Sequence, residues 1–148
     1  RKALALEVLK KKDEYVATLE AGLKEFPTNK TMIKEYTFHF LKEGLAAQKA
    51  GKLDVAEDCF KKVITFDHKK NKTNALYSLG VLCYNDGANI LKVAAPLANS
   101  DADKYAAEKA KADARFKEAV EYLEEAAKVS PENANVKAML PQVKEAMK

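Results

Sequence analysis

Helix breakers are scarce in this chain: 5 Gly and 4 Pro among 148 residues leave long stretches uninterrupted. Ala, Leu, Lys and Glu, all strong helix formers, fill those stretches, so an all-α fold is expected. Cysteine is scarcer still. Cys59 and Cys83 cannot build a disulfide framework and stand in no C-x-x-C arrangement; at apolar positions of inferred helices they read as small core residues. Arginine is limited to Arg1 and Arg115, which removes the anchors a nucleic-acid reader sets beside its basic runs. No apolar run approaches the roughly 18–20 residues of a membrane span, so no membrane insertion is expected. There is no initiator Met and no signal-like start; the chain opens inside a helical pattern and reads as a fragment of a longer protein.

What is present is a globular balance, with 47% apolar and 32% charged residues. The net charge of +4 is uneven: residues 1–72 carry 16 basic and 11 acidic residues, residues 73–148 carry 10 and 11. The densest basic clusters are Lys10–Lys12 and the run His68, Lys69, Lys70, Lys72. Both read as solvated turns.

Helical blocks follow one another between punctuation marks. In the first, Leu4, Leu6, Val8 and Leu9 precede a Lys-rich break, and Tyr15, Val16, Leu19 and Leu23 recur at helical spacing until Phe26-Pro27-Thr28-Asn29. Ile33, Tyr36, Phe40, Gly44 and Ala47 stripe a helix from about Lys30 to Ala50. Past Gly51-Lys52, the residues Leu53, Ala56, Phe60, Val63 and Ile64 line its return partner. The next stripe runs Leu76, Leu79, Gly80, Cys83, Gly87, Ile90, Leu91 and Ala94 without a break. After Pro96, Ser100 with Asp103 offers a helix start, and no breaker follows to Val129, a helix of roughly 43 Å. Ser130-Pro131-Glu132-Asn133 closes that unit, and Pro141 is expected to kink or divide a terminal helix from Asn135.

Leu76-x-x-Leu79-Gly80-x-x-Cys83 has the W-x-x-L-G-x-x-Y spacing that opens a tetratricopeptide repeat. Phe40-x-x-Glu43-Gly44-x-x-Ala47 carries the same glycine 36 positions earlier, and Ala56-x-x-x-Phe60 and Ala119-x-x-x-Leu123 match the second helices of two repeats. With the closing turns, residues 12–147 resemble that family. Gly44 and Ala56 stand 12 residues apart but Gly80 and Ala119 stand 39 apart, which makes residues 88–114 an insertion into the third hairpin. The expected architecture is a single all-α domain, a solenoid of antiparallel helical hairpins. Residues 1–29 end repeat 1, 30–70 form repeat 2, 73–133 form an elongated repeat 3 with its tip near 95–100, and 134–148 form a capping helix. Gly44 opposite Ala56 and Gly80 opposite Ala119 are the expected crossings.

The resemblance implies a protein-interaction scaffold, not an enzyme, binding a protein or peptide in a concave groove. Carried over by position, Phe38, Leu41, Leu45 and Gln48 would line that groove from one helix; Asn74, Tyr77, Val81, Tyr84 and Asn85 would line it from the next. Members that grip a terminal carboxylate use Lys, Asn and Arg at these places, where Leu41 and Leu45 now stand. An apolar peptide or helix is expected instead, with Tyr77, Tyr84 and Phe38 packed on the chain's own cap or hairpin as the alternative. The other functional reading is an assembly segment whose groove is filled internally or by self-association. Bacterial relatives with such a hairpin are often exported to the cell envelope.

Chemistry has little to stand on. His39 and His68 have no His or Cys one turn away, so no metal is expected. Glu20, Glu35, Glu43 and Glu57 lie beside lysines on charged faces, and Ser78, Ser100 and Ser130 have no triad partners. No glycine-rich phosphate loop occurs, and Asp101-Ala102-Asp103 lacks the later residues of a calcium loop. No cofactor is expected.

Overall fold

Seven helices and no strand make up the regular structure of the described residues. They were defined in a computed structural model that describes residues 2–147, with side chains from Lys11 onward. The order is α1 (Lys2–Glu25), α2 (Lys30–Lys49), α3 (Leu53–Ile64), α4 (Lys69–Ala94), α5 (Leu97–Ser100), α6 (Ala102–Val129) and α7 (Ala134–Ala146). Successive helices pack as neighbours: α2 on α3, α3 on α4, α6 on α7, with the most extensive contact between α4 and α6. The expected blocks are all present, with three differences. Lys10–Lys12 do not break α1, which is continuous. Asp101, not Ser100, caps α6, its Oδ1 accepting from Lys104 N at 3.1 Å, while the Ser100 hydroxyl donates back to Pro96 O. Pro141 neither ends nor divides α7. The apolar stripe proposed through Leu4, Leu6, Val8 and Leu9 lies outside the described side chains.

Each longer connection ends in a side-chain cap that satisfies free amides at the next helix start. Asn29 accepts from Met32 N at 3.0 Å and Asn133 from Val136 N at 3.1 Å. His68 holds the equivalent place before α4, its Nδ1 accepting from Asn71 N at 3.2 Å. His68 is therefore a cap residue and not merely an exposed turn histidine, and Lys69, Lys70 and Lys72 belong to the first turn of α4. Between α2 and α3 the chain reverses at Gly51, whose φ of 81° lies in the region that disfavours a side chain.

Two glycines set the approach of each helix pair. A Cβ on Gly44 would lie 2.6 Å from Phe60 Cε1, and one on Gly80 would lie 2.6 Å from Leu123 Cγ. The glycine on the first helix thus receives the large residue one turn beyond the expected alanine; Ala56 and Ala119 are themselves fully buried beside it. Two buried polar pairs pin neighbouring elements. Asn71 Nδ2 donates to Thr37 Oγ1 at 2.9 Å, joining α4 to α2. The hydroxyls of Thr73 and Ser130 share a 2.7 Å hydrogen bond, joining α4 to the turn before α7. Satisfied in this way, they add register without leaving a buried group unpaired.

Beyond the top of α3, α4 and α6 continue together as a two-helix projection. Gly87 lies under the Phe116 ring there. Further out, Ala94 is the one fully buried side chain between Ala88 and Lys111.

In an ordinary helix interior Ala is favoured over Gly by about 1 kcal/mol. At Gly44 the added methyl must displace the wholly buried Phe60 ring, a cost of about 1–3 kcal/mol. Gly44→Ala is therefore expected to lower the thermal midpoint by up to roughly 8 °C; a midpoint that rises would show that the helices do not cross this closely.

Candidate functional site

Two parts of the surface carry more than packing: the face shared by α2 and α4, and an ionic cluster at the base of the projection. On α2, Phe38 is 59% exposed and Leu45 48% exposed, two turns apart on one flank, with half-buried Gln48 beyond them. Helical spacing sets Lys34 one turn before Phe38 on the same flank. On α4, Asn74 and Asn85 are exposed and Val81 half-buried. Of the nine expected groove residues Leu41 is buried, and Tyr77 and Tyr84 are half-buried like Val81 and Gln48. Leu41 is buried in the core formed with α3 and α4. Tyr77 and Tyr84 pack toward α6 and α7, Tyr84 with its ring centroid 5.7 Å from that of Phe116. The reason is angular: Leu41 is turned from Phe38 and Leu45 toward α4, and the tyrosines sit on the α4 flank that α7 covers. Phe38, the third aromatic of the alternative reading, is not packed away.

Arg115 organises the second region. Its Nε donates to Asp86 Oδ2 at 2.7 Å and its Nη1 to Glu118 Oε2 at 2.8 Å. Nη2 reaches Glu57 Oε2 on α3 at 3.4 Å, and Lys61 meets Glu57 from the other side at 3.3 Å. One guanidinium thus ties the projecting α4–α6 hairpin to α3. Burial alone would raise the Glu57 pKa; hydrogen bonds from Arg115 and Lys61 outweigh it and hold the carboxyl below its usual range. Burial pushes the neighbouring Cys83 thiol up to about 12, so it stays protonated. Glu57, Cys83 and Glu118 offer donor atoms within 4.8 Å of one another. Arg115 already supplies the cation there. The geometry fits an ion-pair cluster.

No family model matches the chain, and no curated protein matches it. Among solved structures it is similar to a TPR repeats protein from Bacteroides fragilis, with 51% identity over 93% of this chain and a TM-score of 0.85. The chain has a bacterial tetratricopeptide-repeat-like fold. It spans 62% of the length of that solved protein. In a repeat fold of this kind, α2 with α3 and α4 with α6 are the hairpins, and α7 follows as the next helix. No helix among the described residues is long and apolar enough to cross a membrane.

Sequence reasoning missed the role of Arg115, since its partners lie 29 and 58 residues upstream, at Asp86 and Glu57. Only the isolation of one arginine among many lysines hinted at it. Lysine cannot make the same fork.

Removing this cation leaves Glu57, Asp86 and Glu118 converging on one another. With Arg115 only 19% exposed, Arg115→Met is expected to cost about 2–3 kcal/mol near neutral pH, and Arg115→Lys to recover part of it. Because the folded Glu57 pKa is depressed, its contribution is present above the ordinary carboxylate range and lost as pH falls through the lowered value. Urea denaturation should therefore show the gap between wild type and Arg115→Met narrowing below about pH 4. A gap independent of pH would contradict the ionic account.

Proposed function

We propose that this chain is a protein-interaction scaffold that holds a peptide or short helix against the face shared by α2 and α4. Residues 30–70 and 73–133 act as its second and third repeats and 134–148 as its cap. The reading is supported by the repeat fold, which typically serves protein association and not catalysis. The observation that carries it is the pair Phe38 and Leu45, exposed apolar side chains two turns apart on one flank of α2. Helix-groove recognition uses anchors of that kind. Gln48, Asn74 and Asn85 supply amides able to bond a peptide backbone, and Val81 continues the apolar floor. Leu41, Tyr77 and Tyr84 support this face from beneath or from the side.

Selection from a random peptide display library on the intact chain tests the proposal. Enriched peptides should bind with micromolar affinity and weaken at least about tenfold on Leu45→Glu or Val81→Glu. Val55→Glu, on an exposed α3 position, should leave binding unchanged. Failure to enrich any peptide, or equal loss with all three variants, would contradict a groove on this face.

A further inference from the structure

Where α2 and α4 begin, the proposed groove opens into a cavity of about 580 Å³ lined by Lys30, Lys34, Phe38 and Lys69, with the carboxylates of Glu35 and Asp67. A second cavity of about 300 Å³ shares Lys69 and adds Lys70, Asn74 and Glu132. Several of these charges are already engaged. Lys69 pairs with Glu132 at 3.2 Å, and the Tyr15 hydroxyl donates to Glu35 at 3.4 Å. Among the described residues Lys30, Lys34 and Lys70 have no ion-pair partner, and Asp67 is the remaining carboxylate at the mouth.

These lysines work against folding. Neither α2 nor α4 has an acidic residue in its first turn, where acids are favoured and cations are not. Lys30 and Lys34 also stand one turn apart on α2, a like-charge spacing that destabilises a helix. A carboxylate brought by a partner turns both penalties into attraction. Next to them Phe38, the most exposed aromatic ring of this face, faces the same cavity.

We infer that this mouth holds an acidic peptide segment, with one carboxylate between Lys30 and Lys34 and an apolar side chain on the Phe38 ring. The inference rests on the groove reading and names the chemistry of its occupant. Lys34 and Phe38 are separated by about 6 Å along the helix axis. That is close to the roughly 6.8 Å between residues i and i+2 of an extended chain. The recognised pattern is therefore an acid and an apolar residue two positions apart. A nucleic acid fits less well, because Asp67 and Glu35 would repel a continuous run of phosphates while a single carboxylate avoids them.

The test is fluorescence anisotropy on the intact chain with a short labelled peptide carrying Glu and Leu two residues apart. Gln-for-Glu and Lys-for-Glu counterparts and a single-stranded DNA oligonucleotide serve as the other arms. The Glu peptide should bind at least about tenfold tighter than the Gln peptide, more weakly as salt rises, with the Lys peptide weakest. Lys30→Glu combined with Lys34→Glu should cut that affinity at least about tenfold while the thermal midpoint holds or rises, a combination that unfolding cannot produce. Equal binding of the Glu and Gln peptides, unaffected by the double variant, overturns the acidic inference and leaves the groove reading intact. So does failure of these peptides while display-selected ones still bind. An oligonucleotide that displaces the Glu peptide at equal affinity makes the patch a general polyanion surface and also overturns it. If no peptide of any charge or origin binds, both readings fall together.

Discussion

The close crossing of paired helices at Gly44 and Gly80 is the constraint on which the rest of the structure depends. A bare backbone on the first helix of each pair admits the Phe60 ring or the Leu123 side chain. That contact sets how near α3 comes to α2, and α6 to α4. Because protein interiors are close-packed, neither crossing can loosen without opening a void beside Ala56 or Ala119. The buried Thr37–Asn71 bond then holds one hairpin in register with the next, and the Thr73–Ser130 bond ties α4 to the turn before α7. Arg115 extends the same logic to the projection: its single guanidinium sets the α4–α6 pair against α3. Each feature of the surface follows from these seats.

Much of this was legible in the residues, for physical reasons. Helical stripes, proline turns and the recurring glycine depend on local spacing, so the blocks, their order and the long insertion could be placed. The crossings were legible in kind but not in detail: spacing put Ala56 and Ala119 opposite the glycines, whereas the large side chains one turn on fill the seats. Caps were partly legible. Asparagine after proline announces itself, but His68 acting through Nδ1 and Asp101 displacing Ser100 depend on the actual backbone path. Lys10–Lys12 do not break α1 because lysine is itself a helix former, and Pro141 shows the limit of breaker signals, since a helix packed on a neighbour can carry a locally unfavourable residue.

The proposed groove face was harder to read, because membership turns on angles of a few tens of degrees around each helix. Carrying positions over from the family put Leu41, Tyr77 and Tyr84 in the groove; Leu41 is buried in the core and the half-buried tyrosines also pack against neighbouring helices. The lysines at the helix starts looked like solvated turn residues. Their meaning appears only once α2 and α4 are seen to begin side by side around one cavity that Phe38 also faces. Sequence patterns that cost stability without a visible return often mark function, and Lys30 with Lys34 fits that description. The projection has a related character. Between Ala88 and Lys111 it carries one fully buried side chain, with Ile90, Leu91, Leu97 and Tyr105 half-buried, so its outer part buries less apolar surface than its base.

Hydrogen exchange across the whole chain measures the central claim most directly. If the glycine seats and cross-hairpin bonds weld the hairpins together, amides of Phe40–Ala47, Ala56–Val63, Leu76–Gly87 and Ala112–Leu123 will exchange as one slow cooperative unit. Those of residues 88–111 will exchange at least about tenfold faster through local opening. Independent exchange of the two hairpins, or an outer projection as protected as its base, would contradict the account.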